Sequence, residues 1–297
     1  MGVPVVQTLH NFRLVCVQPM LYRDGGPCQD CVGRRMAWPA VKHKCYRDSA
    51  VESAAVVAVR EAHRLAGTWH RAIDRYIVLS EFMKEIMTRH GYPAERMVVR
   101  HNALFRQLES GQGTKDQVVF AARLAADKGV LTLLEAWARH PDLPKLVICG
   151  DGPRADDVSA AAAADPRIDW VGWRDRTDLD QLLADSRLAI VPSLNYEGWP
   201  LTVIEAFGAG TPVVASRLGA IPEMFKDPAA GALFEPGDTD SLAEAVRRTF
   251  AESAPGSPRR SAARRLFEDH YSAKTAYKGL LDIYSAAGAV SRLEAKS

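Results

Sequence analysis

The sequence has no apolar run that approaches the roughly 20 residues of a membrane-spanning helix, which argues against an integral membrane protein. Its first residues lack the basic segment and apolar core of a signal peptide, so the expected location is the cytoplasm. Internal repeats and low-complexity tracts are also missing. The composition is that of a globular protein, with 47% apolar and 25% charged residues among 297, enough for two domains.

The charge is small in total but unevenly distributed. The net charge of +2 combines +6 over residues 1–104 with −4 over residues 105–297. One interpretation is a random excess of solvated surface charge. The other is peripheral contact with an anionic membrane at its inner face, because Met36 and Trp38 lie among five Lys and Arg residues within 33–47. No nucleic-acid partner is expected.

Strand and helix patterns alternate along most of the chain. A helix is expected over residues 53–69 with a stop near Gly67, and another helix begins after Ser80 as its N-cap and stops at Gly91. Five strand patterns and seven helix patterns follow in the second part, which predicts a mostly parallel sheet covered by helices on both faces.

The same patterns predict how the chain is divided. Residues 106–116 are polar, contain glycine and lack periodicity, so they are expected to link two domains. The expected division is a first domain over 1–105 with a cysteine-containing loop at 11–47, the linker, a second domain over 117–270, and a C-terminal helix over 271–297 that packs towards the first domain.

The most informative segment, residues 195–216, predicts an anion site where a strand meets a helix. Pro200 suits the first helical position, and the free amides near Leu201 and Thr202 would point out of the helix start, where a phosphate or diphosphate binds favourably. Gly198 would let the backbone approach that anion closely.

Two glutamates of this segment stand eight residues apart. Glu197 falls in the loop and Glu205 in the helix, and both are expected to reach one cleft. A carboxylate beside a diphosphate repels further phosphate, so its natural partners are sugar hydroxyls. The alternative for Glu205 is an ordinary position on the helix surface.

A second predicted anion site comprises Arg123 and Lys128, at the turn between a strand and the next helix. Arginine binds a diphosphate as a two-pronged donor and lysine as a point charge. The alternative is a pair of solvated charges. The glycine-bearing "CGDGP" turn at residues 149–153 is weak evidence alone.

Together these segments resemble the retaining glycosyltransferases of family 4. "YEGWPLTVIEAFGAGTPVV" resembles their E-x7-E segment, "ARLAADKG" their Arg…Lys diphosphate motif, and "GDGP" their G-x-G-P turn. "VVQTLHNF" resembles a strand of that family whose final histidine faces the sugar. The resemblance implies an α/β protein with GT-B architecture, in which two Rossmann-like domains carry parallel sheets.

By that resemblance, Arg123 and Lys128 bind the donor diphosphate and Glu205 binds the ribose hydroxyls. Glu197 contacts the transferred sugar, and His10 faces the same sugar unless its role is only structural. The implied reaction moves a sugar with retention from a nucleotide-diphosphate donor to a glycan or lipid-linked acceptor, in cell-surface polysaccharide or glycolipid synthesis. No metal ion or other cofactor is needed, because the cations and helix amides stabilise the leaving diphosphate.

The first domain is short for such an enzyme. It shows three recognisable strands, and the early strands and glycine-rich loop of the family are not seen, so we expect an incomplete N-terminal domain. Two other functions stay open. One is a different GT-B activity, such as a nucleotide-sugar epimerase or a phosphorylase. The other is a non-catalytic module that binds a nucleotide sugar and needs a partner.

Four cysteines suggest a metal site in the long first loop. Cys16, Cys28, Cys31 and Cys45 include a C-x2-C pair, and four thiolates suit tetrahedral zinc in a loop that needs a staple. The alternative is four reduced thiols, since stable disulfides are disfavoured in the cytosol. Cys149 lies in a strand and is expected to be a small core residue.

Overall fold

The computed structural model describes residues 3–288, which divide into two compact units. The first unit comprises the described residues up to Asn102, the segment Tyr196–Trp199 and the helical residues from Lys274. The second comprises Ala103–Asn195 and Pro200–Ala273. The predicted linker, residues 106–116, thus falls in the second unit, where its last two residues begin a strand.

The first unit is built on short strands. They are β1 (Val6–Leu9), β2 (Tyr22–Arg23), β3 (Gly26–Pro27), β4 (Arg75–Val78) and β5 (Met97–Val99). A parallel sheet joins β1, β4 and β5 in that order, and β2 and β3 pair antiparallel within the cysteine-containing loop. Tyr76, Ile77 and Val78 of the central strand are fully buried, as expected for a parallel sheet with both faces covered.

Hydroxyl side chains set the starts of the main helices in this unit. The helices are α1 (Trp38–Lys42), α2 (Ala50–Leu65), α3 (Thr68–Arg71) and α4 (Glu81–Arg89). Ser80 caps α4 by accepting from the Met83 amide, and Gly91 follows with φ of 95°, which confirms both predicted ends. The predicted start of α2 at residue 53 is wrong, because Ser49 accepts from the Glu52 amide and the helix begins at Ala50.

The second unit is a six-stranded parallel sheet covered by helices. Its strands are β6 (Lys115–Ala121), β7 (Lys145–Cys149), β8 (Ile168–Gly172), β9 (Ser186–Val191), β10 (Val213–Ser216) and β11 (Gly231–Phe234). Their order is β11–β10–β9–β6–β7–β8. The strand β11 was missed by the sequence analysis, because four residues at the sheet edge show no period of their own.

The helices of the second unit follow the expected alternation with strands. They are α5 (Val130–Arg139), α6 (Ala155–Ala164), α7 (Arg176–Asp185), α8 (Leu201–Gly208), α9 (Thr239–Ala251) and α10 (Pro258–His270). A last helix, α11 (Ala273–Ala286), lies mostly in the first unit. Apolar side chains of β6, β7, β9 and α5 form the core, with Phe120, Trp137 and Ile148 fully buried. Within residues 3–288, no helix has both the length and the apolarity needed to cross a membrane.

One glycine is required where two loops meet. Gly129, before α5, has φ of 74°, and a Cβ there would lie 1.7 Å from the Pro192 carbonyl oxygen. Both the backbone conformation and the missing space exclude a larger residue. This contact holds the loop after β6 against the loop after β9.

We therefore expect Gly129→Ala to lower the free energy of unfolding by more than about 3 kcal/mol, since it adds a clash to a left-handed backbone. Gly256→Ala is the matched control, because Gly256 has φ of 73° and nothing within 4 Å of a Cβ. The control should lose only about 1 kcal/mol. Thermal and urea denaturation measure both, and equal losses would contradict the close approach of the two loops.

Candidate functional site

The carboxyl edge of the large sheet carries the predicted donor-binding residues. The strands β6, β7 and β9 end at Ala121, Cys149 and Val191, and parallel strands bring the loops that follow to one edge. A cavity of about 440 Å³ opens there. Side chains in its wall include Arg123, Asp151, Trp173, Arg174 and Thr202.

Arg123 lies in the loop after β6 and is held by a buried carboxylate. Its Nη2 donates to Oδ1 of Asp127 at 3.0 Å, and Asp127 is only 5% exposed. The side-chain Nδ2 of Asn195 also donates to Asp127, at 3.3 Å. Lys128 comes next in the chain and is half-buried. Asp127 thus fixes the arginine at the cavity, a role that sequence reasoning did not assign.

The glycine-bearing turn after β7 approaches the β6 loop closely. A Cβ on Gly150 would lie 2.0 Å from the Ala122 carbonyl oxygen, and one on Gly152 would lie 2.6 Å from that of Leu124. Both glycines have positive φ. Their contacts explain why small residues stand at both positions of the "GDGP" segment.

The start of α8 faces the same edge. Thr202 donates from Oγ1 to the carbonyl oxygen of Ala121, the last residue of β6, at 3.4 Å. Pro200 occupies the N-cap rather than the first helical position, so that detail of the prediction is wrong: its ψ of 121° is extended. Leu201 is the first helical residue, and its side chain is 45% exposed.

Glu205 is buried within α8 and bound to arginine. Its Oε1 accepts from Nη2 of Arg106 at 3.1 Å, and Nη1 of Arg176 lies 3.7 Å away. The other amino group of Arg106, Nη1, pairs with Asp180. Glu205 is 8% exposed, so the alternative of an ordinary surface position is excluded.

Arg106 was missed by sequence reasoning because it lies in the predicted linker, 99 residues from Glu205. Its Nε and the Oδ1 of Asp180 are buried and have no hydrogen-bond partner within residues 3–288. Two unsatisfied polar atoms beside Glu205 are costly in a folded protein unless a ligand or water satisfies them.

His10 and Glu197 belong to the first unit. His10 follows β1 and is exposed, and Glu197 is half-buried. A Cβ on Gly198 would lie 3.1 Å from the His10 carbonyl oxygen, so this glycine allows the 196–199 segment to pack against the end of β1. The two glutamates of the predicted motif therefore fall in different units, and their common cleft stays a prediction.

Aromatic contacts fix the 196–199 segment in the first unit. Tyr196 stacks on Phe82 with ring centroids 4.8 Å apart, and its hydroxyl accepts from Gln29 at 2.9 Å. Trp199 stacks on His101 at 3.9 Å. Glu197 and Gly198 thus lie between two anchored aromatic residues.

The zinc site expected of the four cysteines in the first loop stays a prediction. Among residues 3–288, no three His, Cys, Asp or Glu side chains are placed to bind one metal ion. Three of the thiols pack in apolar clusters: Cys16 packs against the sheet core, and Cys31 and Cys45 pack around Ala37 and Ala40.

Burial sets the chemistry of these thiols. It raises the pKa of Cys16 and Cys45, and it raises the pKa of Cys31 to about 11. Cys149 is also buried and its pKa is raised, in line with its predicted place in the core. These side chains are therefore neutral thiols near pH 7.

Comparisons with known proteins connect this geometry to a family. Residues 115–252 match the family model described as Glycosyl transferases group 1. An exopolysaccharide phosphotransferase of Streptomyces coelicolor is 33% identical over 198 residues, which cover 62% of this chain and 20% of that protein. A glycogen synthase of Mycobacterium tuberculosis is 29% identical over 244 residues, which cover 77% of this chain and 58% of that enzyme.

The fold is shared with a solved structure. The crystal structure of Anabaena HepE in complex with UDP has a TM-score of 0.70 and 19% identity, covering 95% of this chain and 72% of that one. This likeness confirms the expected α/β GT-B architecture. The chain spans 20% and 58% of the lengths of the two relatives named above.

The raised pKa of Cys31 predicts slow alkylation. At pH 8, iodoacetamide should modify Cys31 about 100-fold more slowly in the folded chain than in guanidinium, because only the thiolate reacts. Mass spectrometry of the Cys31 peptide measures both rates, and equal rates would contradict a buried neutral thiol. The pKa of Cys31 is higher in the folded chain than in the unfolded chain. Its contribution to the free energy of unfolding is therefore fully present below about pH 9 and is lost as the pH rises through about 11.

Proposed function

We propose, from the match of residues 115–252 to the family model described as Glycosyl transferases group 1, that this protein transfers a sugar from a nucleotide-diphosphate donor. The acceptor would be a glycan or a lipid-linked glycan, and the anomeric configuration would be retained. The observation that carries the proposal is the cavity at the carboxyl edge of the second unit's sheet. Its wall includes the cation Arg123, the exposed Trp173, and Thr202 at the start of α8.

Each part of this cavity suits one part of such a donor. Arg123 and Lys128 would bind the diphosphate, together with free amides at the start of α8, near Leu201 and Thr202. Trp173 is 71% exposed at the cavity and offers an aromatic face to the nucleobase. The volume of about 440 Å³ is that of a small-molecule site.

The chemical step would depend on charge at the leaving group. When the bond from the sugar to the diphosphate breaks, negative charge grows on the diphosphate, and cations already fixed at that position stabilise it without reorganisation. Asp127 supports this proposal because it holds Arg123 in place before any ligand arrives. A leaving phosphate oxygen would accept the proton of the acceptor hydroxyl.

Glu205 would bind the ribose hydroxyls. A carboxylate accepts hydrogen bonds from two neighbouring hydroxyls, and Arg106 would keep it correctly oriented. Within the first unit, Glu197 and His10 would contact the transferred sugar. Gly198, which packs against the His10 backbone, supports their placement on one surface.

The cellular role is proposed on wider grounds. The likeness to an exopolysaccharide phosphotransferase supports a role in cell-surface polysaccharide or glycolipid synthesis. Met36 and Trp38 are 58% and 64% exposed near Arg34 and Arg35, which supports peripheral contact with anionic lipid. The cytoplasm is the proposed location.

The donor site is tested by nucleotide binding. UDP, GDP and ADP are screened by thermal shift, and the one that binds is titrated by calorimetry. Glu205→Ala should weaken its binding by about 1–3 kcal/mol, because charged hydrogen bonds to the ribose are lost. Glu135→Ala is the control, since Glu135 is an exposed glutamate of α5. Unchanged affinity in Glu205→Ala would contradict the donor site, and binding without transfer or hydrolysis would favour a non-catalytic module.

Substitution of Arg106 should affect nucleotide binding but not pyrophosphate binding. Among the described residues, Arg106→Gln leaves Glu205 with the more distant Arg176 as its one arginine partner, so nucleotide affinity should fall about tenfold while pyrophosphate affinity stays unchanged. Arg123→Ala should weaken the binding of both nucleotide and pyrophosphate. Partial recovery in Arg106→Lys would support positioning of Glu205. Equal losses for nucleotide and pyrophosphate in Arg106→Gln would contradict that role.

A further inference from the structure

A second cavity lies at the opposite end of the large sheet. It has a volume of about 280 Å³. Arg260 in its wall donates from its guanidinium to the carbonyl oxygens of Gly111 and Ser186, and Ser186 is the first residue of β9. The cavity therefore lies at the amino ends of the strands. Along the seven residues of β6, the two edges are about 20 Å apart, so this is not the donor cavity.

The wall of this cavity contains no carboxylate. Its side chains are those of Ser110, Gln112, Arg260, Ser261, Arg264 and Arg265, and its other two residues are glycines. Three guanidinium groups and three neutral polar groups thus surround a space slightly smaller than a typical small-molecule site. The composition favours a small anion.

The charge of Arg260 is buried without a counter-charge. The residue is 5% exposed, and its guanidinium donates to three backbone carbonyl oxygens and to the Thr211 hydroxyl. It forms no ion pair within residues 3–288, and its Nε has no hydrogen-bond partner there. Burial lowers the pKa of Arg260 to about 10, so the side chain is still charged at neutral pH. A positive charge away from water attracts an anion strongly.

The other two arginines differ in their contacts. Arg264 donates to the carbonyl oxygens of Leu108 and Gly208 and pairs with Glu268. Arg265 is exposed and forms no ion pair or hydrogen bond among the described residues. Its five N–H donors stand next to a buried positive charge. One carboxylate for three arginines leaves a net positive charge at the cavity.

We propose that this cavity is a second anion site, which binds the phosphate group of a small phosphate monoester such as a sugar phosphate. Arginine donors match phosphate oxygens in pairs, and the hydroxyl and amide groups of the wall suit the hydroxyls of an attached sugar. The proposal is independent of the donor site, because the two cavities share no residue.

Anion binding is tested by calorimetric titration of the full chain at physiological ionic strength, about 0.15 M NaCl. Inorganic phosphate, glucose 6-phosphate and glucose 1-phosphate are titrated separately, which distinguishes free phosphate from a phosphorylated sugar. We expect at least one of them to bind with a Kd below about 1 mM. Arg265→Ala should raise that Kd about tenfold or more, because a direct phosphate donor is removed.

Two control variants keep the result specific. Arg248→Ala removes an exposed arginine of α9 that does not line the cavity, and its Kd should match that of the unaltered chain. Arg123→Ala removes the cation of the donor cavity, so it should abolish any phosphate binding there and leave the binding that Arg265→Ala weakens. Loss of all phosphate binding in Arg123→Ala, no effect of Arg265→Ala, or no binding of any of the three anions at 10 mM (roughly tenfold above the expected Kd limit) would overturn the proposal.

Discussion

The position of β6 between β7 and β9 is the constraint on which the second unit depends. Because the three strands are parallel, their loops must share one edge, and the loop after β6 meets each of the other two backbone to backbone. Gly129 lies against the Pro192 carbonyl and Gly150 against the Ala122 carbonyl, where any side chain would clash. This backbone packing brings Arg123 and the start of α8 to the same cavity, so the chemistry of the site follows from the geometry of the sheet.

The charges at this edge are held before a ligand is present. Asp127 is buried and binds Arg123, while Arg106 binds the buried Glu205. A buried carboxylate without a partner is costly, so removing either arginine would destabilise the fold as well as release the carboxylate from its orientation. Holding catalytic or binding groups in advance lowers the cost of reorganisation during the reaction. The same electrostatic reasoning applies to Arg260, whose charge has carbonyl oxygens around it and, within residues 3–288, no carboxylate partner.

Local signals in the sequence predicted much of this architecture, and long-range contacts explain most of what it could not predict. Ser80 is a typical N-cap and Gly91 a typical stop residue, so the ends of α4 can be predicted locally. The apolar runs of the second part predict its parallel sheet. Arg106 shows the limit, since a polar stretch gives no sign that one of its residues binds a glutamate 99 positions later. The cysteine spacing has a related limit, because spacing along the chain says little about which apolar cluster each thiol enters.

Binding of a nucleotide diphosphate at the carboxyl edge of the six-stranded sheet is the proposal on which the others depend. Hydrogen–deuterium exchange tests it, followed by mass spectrometry with and without the bound nucleotide. We expect slower exchange in the peptides that contain residues 122–130 and 199–206. Peptides that contain residues 108–113 and 256–266, at the opposite edge, should keep their exchange rates. Protection confined to that opposite edge, or none in the first two segments, would contradict the claim.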